Sequence, residues 1–216
     1  MTFKLYLWSN LSIKKLMRKF MLIWLMFSSL LLTAQTGDVL QQIKSQAQKI
    51  NSIEAAFVQT KNISFIDEQL ISNGKFWFSR PDKMRWEYQS PFFYSIIIDG
   101  DNITVIDDKK ESRFDAASNA MFGQIKQVIM NMVNGKMFDD PDYHASLKEE
   151  NNYFVVNFET VNEAMKEYIF SIDLYFTKSG YLMEKIKMNE ASGDNTVIEF
   201  SNQKINQSLP GHVFKP

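Results

Sequence analysis

Cysteine does not occur in this chain of 216 residues. Its absence excludes a disulfide framework, a thiolate zinc site, a cysteine nucleophile and an N-terminus acylated through cysteine. Histidine is almost as scarce, with only His144 and His212. His144 is expected in a polar turn and His212 close to the end. Neither has a sequence neighbour that would position it as a general base. No G-x-S-x-G elbow, H-E-x-x-H helix, phosphate-binding loop or dinucleotide-binding glycine pattern is present. Asp99, Asp101, Asp107 and Asp108 do not have the spacing of an EF-hand loop, and hairpin turns ordinarily carry such residues. No repeat, low-complexity tract or linker divides the chain. These absences point away from an enzyme and from any metal or other cofactor.

The first thirty-odd residues differ from the rest. Lys14, Lys15, Arg18 and Lys19 precede an apolar run from Phe20 to Leu32, broken only by Ser28 and Ser29. Thr33, Ala34, Gln35 and Thr36 then turn small and polar. A basic region, a short apolar region and a small-residue site read as a secretory signal over residues 1–34, cut after Ala34. Thirteen apolar-run residues fall short of the roughly 20 that span a bilayer. Met17 is an alternative start, opening a more compact signal. Residues 35–216 are then one exported domain, long enough for a core without disulfide staples. Five of the 24 basic residues lie in the signal, leaving 19 against 25 acidic ones. That balance argues against nucleic acid and against an anionic membrane surface as the main partner.

Hydrophobic period organises the remainder. Val39, Leu40, Ile43, Ala47 and Ile50 recur at helical spacing and predict a helix over about 38–50. From Ser52 the period becomes two. Met84, Trp86 and Tyr88 alternate with Arg85, Glu87 and Gln89, the pattern of a half-buried strand. Asp99-Gly100-Asp101-Asn102 and Asp107 to Lys110 read as hairpin turns. Met121, Ile125, Val128, Ile129, Met132 and Val133 return to helical spacing, with Gly135 as the residue after the helix. A short irregular or helical stretch is expected over Phe138 to His144. The last third reads as a meander, including an alternating run from Tyr168 to Phe176, with Val213-Phe214 as a short final strand. Two helices cannot cover both faces of ten or so strands. The fold class is therefore α+β, mainly β: an open, incomplete antiparallel β-barrel with helices covering its concave apolar face.

Fifteen Phe and eight Met remain beyond residue 34. Methionine adapts its shape, so a set of them suits either ordinary core filling or a cavity for a ligand of variable form. Arg80 stands between Phe76-Trp77-Phe78 and Pro81. It is either a solvated turn residue or a fork of donors holding backbone carbonyls of a covering segment.

Phe57-Val58-Gln59, Gly74 to Pro81, Met84-Arg85-Trp86-Glu87-Tyr88, Pro91 and Asp99-Gly100 together resemble the LolA family of periplasmic outer-membrane lipoprotein carriers. The closing Phe214-Lys215-Pro216 fits as well. The resemblance covers essentially all of 35–216. It implies a soluble monomer that is no enzyme and has no cofactor. Its cavity would take the acyl chains of lipoproteins from an inner-membrane lipoprotein-releasing transporter to an outer-membrane acceptor. Arg80 matches the family's latch arginine. The candidate lid latch and lipid-binding residues are Arg80, Phe57, Phe76, Phe78, Met84, Trp86, Met121, Ile125, Ile129 and Met132. A carrier of another lipid or pigment ester, a lipid-modifying hydrolase, and a lipid-sensing or signalling domain on the same fold remain alternatives. A membrane-anchored acceptor of the same fold would need a cysteine at the cleavage site, where this chain has none.

Overall fold

The computed structural model describes residues 37–66, 68–108, 110–118 and 120–216, except for the side chains at 120–122 and 125. The expected export signal lies outside the described residues. Contacts divide the chain into Met1–Gln41 and Gln42–Pro216. Within the first unit the described residues, 37–41, are helical. The second unit carries the rest of that helix and everything that follows.

Helix α1 occupies residues 37–49. Among the described residues eleven strands follow: β1 (Ser52–Asn62), β2 (Gln69–Ser79), β3 (Lys83–Ser90), β4 (Tyr94–Asp99), β5 (Asn102–Asp107), β6 (Lys110–Asp115), β7 (Tyr143–Glu149), β8 (Tyr153–Thr160), β9 (Ile169–Thr177), β10 (Met183–Glu190) and β11 (Asn195–Ile205). They form one antiparallel sheet in the order β6-β5-β4-β3-β2-β1-β11-β10-β9-β8-β7. Helix α2 (Ala120–Val133) and a 3₁₀ turn (Lys136–Asp139) lie between β6 and β7 in the chain, and α3 (Glu163–Lys166) joins β8 to β9. The sheet is open: its outermost strands, β6 and β7, are consecutive in sequence but do not pair. Both edges carry charge, with Lys110, Glu111, Arg113 and Asp115 on β6 and Lys148 and Glu149 on β7, which discourages pairing with another chain.

Register explains why one face is apolar. Directly opposed residues on antiparallel neighbours share a face. Phe78, Met84, Ile98 and Ile103 therefore form one row across β2–β5. Ile198, Ile186, Leu174, Val156 and Leu147 form another across β11–β7. Every member of these rows except Leu147 is buried. Burying one such side chain contributes about 1.5–3 kcal/mol. Gly74 sits in this face at the β2–β3 bulge. A Cβ there would lie 1.9 Å from the Glu87 carbonyl oxygen and 2.8 Å from the Phe57 ring. Only glycine lets β3 and Phe57 approach this closely.

The opposite face is covered in part by the end of the chain. Arg85 Nη1 donates to the carbonyl oxygens of Val213 (3.2 Å) and Lys215 (3.0 Å). Residues 211–214 are accordingly a turn, not the expected final strand. Their backbone is held by a side chain instead of a neighbouring strand. His144 lies in β7, opposite Glu159, and not in a turn. Its strand escaped notice because only Tyr143, Ala145 and Leu147 supply an alternating signal, and an edge strand needs no stronger one. Asn73-Gly74 lies inside β2 at that bulge.

Candidate functional site: a latched cover over the apolar face

The apolar stripe of α1 reaches the sheet through Ile43 and Ile50, both buried. Helix α2 ends at Val133, and Gly135 just beyond it, with a left-handed φ of 70°, turns the chain away. A Cβ at Gly135 would lie 3.0 Å from that of Ala47, so glycine also sets how closely α1 can pass. Lys44 pairs with Asp139 across the same junction. The 3₁₀ turn buries Met137 and sets Phe138 edge-on to Phe158, with ring centroids 5.2 Å apart.

Between these helices and the sheet lies a narrow apolar gap of about 50 Å³. Ala47, Ile50, Met132 and Val133 line it from above, and Ile53, Phe76, Met183 and Phe200 are among those lining it from the sheet. Cavities that hold small ligands run to roughly 300–1,000 Å³. The gap is therefore the seam of a closed cover over an apolar surface.

Arg80 bonds the end of α1. Its Nε donates to the Ile50 carbonyl oxygen at 2.5 Å, and its Nη2 to that of Ala47 at 2.9 Å. Its backbone N–H donates to Asn51 O at 2.8 Å. The last carbonyls of a helix have no partners within it and carry the negative end of its dipole. A planar guanidinium meets both needs at once. The preceding strand carries Phe76 and Phe78 into the core, and the Arg80–Pro81 turn then aims the side chain back over the sheet's end.

A second clamp holds the same helix end. Asn206, at the end of β11, accepts from the Asn51 N–H at 2.6 Å and donates to Lys49 O at 3.0 Å. Its own N–H donates to Ser52 O at 2.9 Å. Its φ of 58° is one that asparagine tolerates better than most residues. Sequence reasoning missed Asn206. An isolated Asn after a strand reads as a turn, and its contacts lie 155 and 157 residues away.

The other candidates fall in different places. Phe76 and Met132 line the gap. Phe57, Phe78 and Met84 are sealed in the core, each no more than 1% exposed. Phe57 and Trp86 belong to an aromatic cluster, with ring centroids 4.6 Å apart, that also takes in Phe76, Tyr88 and Phe200. Trp86 Nε1 is buried there without a hydrogen-bond partner of normal geometry. Burial also pushes the Tyr88 phenol up, while its hydroxyl donates to Gln59 Oε1 at 2.9 Å. Ile129 is half-buried on α2. The side chains of Met121 and Ile125 lie outside the described ones. Among the described residues no group of three or more acidic or histidine side chains could hold a metal ion. No helix among them is long and apolar enough to cross a membrane.

An open antiparallel sheet, apolar on one face and shut by a helix bonded at its end, defines the class of this protein. The chain belongs to the LolA family: the family described as outer membrane lipoprotein carrier protein LolA matches residues 48–216. The chain is 26% identical to an outer-membrane lipoprotein carrier protein of Nitrosospira multiformis, over 93% of this chain and 94% of that one. A protein of the same description from Ralstonia nicotianae is 24% identical over 84% of each. Among solved structures, a LolA-superfamily protein of Nitrosomonas europaea aligns with 84% of this chain and 97% of its own, at 13% identity and a TM-score of 0.45.

Proposed function

We propose that this chain is a periplasmic carrier that takes the acyl chains of lipoproteins beneath α1 and α2. It receives them from an inner-membrane releasing transporter and surrenders them to an outer-membrane acceptor. The observation that carries the reading is Arg80, which bonds the carbonyls of Ala47 and Ile50 directly above an apolar seam of about 50 Å³. Cargo enters when those bonds break and α1 lifts, and the same bonds re-form when it leaves.

The energetics favour such a device. Burying a methylene is worth about 0.8 kcal/mol, so a chain of roughly 14 methylenes gains about 11 kcal/mol. A rigid, permanently open pocket would retain that cargo. A cover that closes favourably on itself offsets part of the gain and makes discharge possible.

Native mass spectrometry of the protein from the periplasm tests this, with and without an overexpressed lipoprotein. Diacyl-bearing polypeptide should co-purify when the lipoprotein is abundant. A bound lipid without polypeptide would replace the lipoprotein in the proposal by another lipid. A protein that stays bare in both preparations would sink it.

A further inference from the structure

Arg80 has a second side. Its Nε and Nη2 are engaged by α1, which leaves further guanidinium N–H groups. A half-open basin of about 670 Å³ lies against the same residue, lined in part by Ser79, Lys83, Ser208 and Lys215. Its lining mixes polar and apolar surface, where that of the seam beneath α1 is mainly apolar. Arg80, Lys83 and Lys215 bring three cations to its wall against the single carboxylate of Asp99, which Lys83 already pairs at 2.8 Å. In a chain whose acidic residues outnumber its basic ones, this concentration of positive charge is local. Gly211 also lines the basin, and a Cβ built on it meets nothing within 4 Å, so the wall there stands open.

We propose that this basin is an anion site, fitted to a phosphate oxyanion, and that its occupation releases the latch. The proposal rests on the reading of Arg80 as the latch. The mechanism is competition for one guanidinium. In the closed state Arg80 donates to two neutral carbonyl oxygens. A phosphate held by Lys83 and Lys215 offers the same donors an ionised acceptor, and hydrogen bonds to ionised acceptors are roughly twice as strong as neutral ones. Its planar fork also matches two phosphate oxygens at once. Turning toward the anion withdraws Nε and Nη2 from Ile50 and Ala47. Among side chains at the helix end Asn206 then remains, and with the guanidinium bonds gone α1 can lift from the seam. An anion at the basin would thus couple to cargo entry beneath α1, although neither ligand touches the other.

The experiment is a titration of the intact protein with inorganic phosphate and, separately, with glycerophosphoglycerol, the acyl-free headgroup of an anionic phospholipid. Sodium chloride at matched ionic strength is the control. The Arg80 Nε–H resonance reports the anion, and a fluorescent fatty acid reports access to the apolar seam. The expected result is a saturable shift of the resonance together with tighter fatty-acid binding. The double variant Lys83→Gln/Lys215→Gln should weaken anion binding by about tenfold or more, since it removes two charged donors. Its fatty-acid binding without anion should match the parent. Gly211→Phe, which fills the basin with its lysines intact, should have the same effect on the anion. A response to one phosphate compound alone identifies the source, free ion or headgroup, and supports the site. Equal shifts with sodium chloride, or a full response in the double variant, would overturn it. Arg80→Leu separates the two ideas. If it tightens fatty-acid binding while phosphate does nothing to the parent, the latch stands and the anion site falls. If Arg80→Leu leaves fatty-acid binding unchanged, the latch itself fails and the coupling with it.

Discussion

Replacing Arg80 by leucine removes the guanidinium from two carbonyl acceptors while keeping an apolar stem against the end of the sheet. Hydrogen bonds to charged groups are worth about 1.5–3 kcal/mol each. Both acceptors keep some compensation. Ala47 O still receives the Ile50 N–H at 3.2 Å, and Arg80 is only part-buried, so water can reach the vacated carbonyls. The net loss to the closed state is therefore about 2–4 kcal/mol for the pair. Set against about 11 kcal/mol for burying a long acyl chain, that is a fifth to a third of the gross gain. It is large enough to govern release and too small to prevent loading. Where the closed form dominates, the lost closing energy reappears as affinity, up to a ceiling of about 30- to 1,000-fold. Titration with a fluorescent fatty acid measures it directly. Denaturant unfolding should show a matching loss of stability in the cargo-free protein, and transfer of an acylated cargo to an acceptor should slow. Arg80→Lys should fall between the two, because an ammonium cannot span both carbonyls as the planar fork does. A fatty-acid affinity within about threefold of the parent in a correctly folded Arg80→Leu protein would refute the latch, since 1.4 kcal/mol already corresponds to tenfold.

Asn206→Ala should lower stability by about 1–3 kcal/mol, because it strips the side-chain bonds to Asn51 and Lys49 and places alanine at positive φ. Asn206→Gly should recover the backbone part of that loss and not the rest, which denaturant melts of both variants would resolve. Gly74→Ala should cost about 3 kcal/mol or more, since its Cβ would meet backbone at 1.9 Å and not a movable side chain; an unchanged melting curve would show that β3 can retreat from β2. The Tyr143 phenol is pushed up to about 12, first by burial and then by Asp140 and Asp142. Its folded value is the raised one, so its contribution to stability is complete below the ordinary tyrosine range and is lost as pH climbs toward 12. Phenolate absorbance of the folded protein should therefore include a component that titrates toward 12, and Tyr143→Phe should remove it.

Much of the fold is legible because strand and helix periods are local. Met84, Trp86 and Tyr88 declare an inward face by alternation alone, and Ile43, Ala47 and Ile50 declare a helical stripe. The turns at Asp99-Gly100 and Lys178-Ser179-Gly180 announce themselves through residue type. An open antiparallel sheet with a helical cover follows from the count of elements. The misreadings fall where local pattern is thin. The edge strand β7 carries Ala145 and Ser146 where central strands carry branched or aromatic residues. Val213-Phe214 has a strand's composition, but Arg85 from the far face of β3 takes its carbonyls.

The sequence by itself determined which residues would be apolar together, that no cysteine chemistry takes part, and that Arg80 lies where a guanidinium is out of place among aromatics. Those properties depend on composition and on neighbours a few positions away. Only the tertiary structure decided what Arg80 holds, because its acceptors lie 30 and 33 residues away on another element. It alone brought Asn206 to the same helix end, and Lys215 to the basin beside Arg80. It also separated the aromatics that line a seam from those sealed in the core, a distinction that depends on how far α1 and α2 close. Hydrophobic period tells a side chain which way to face; what it faces is set by chain closure over long separations, and that is where the candidate site was made.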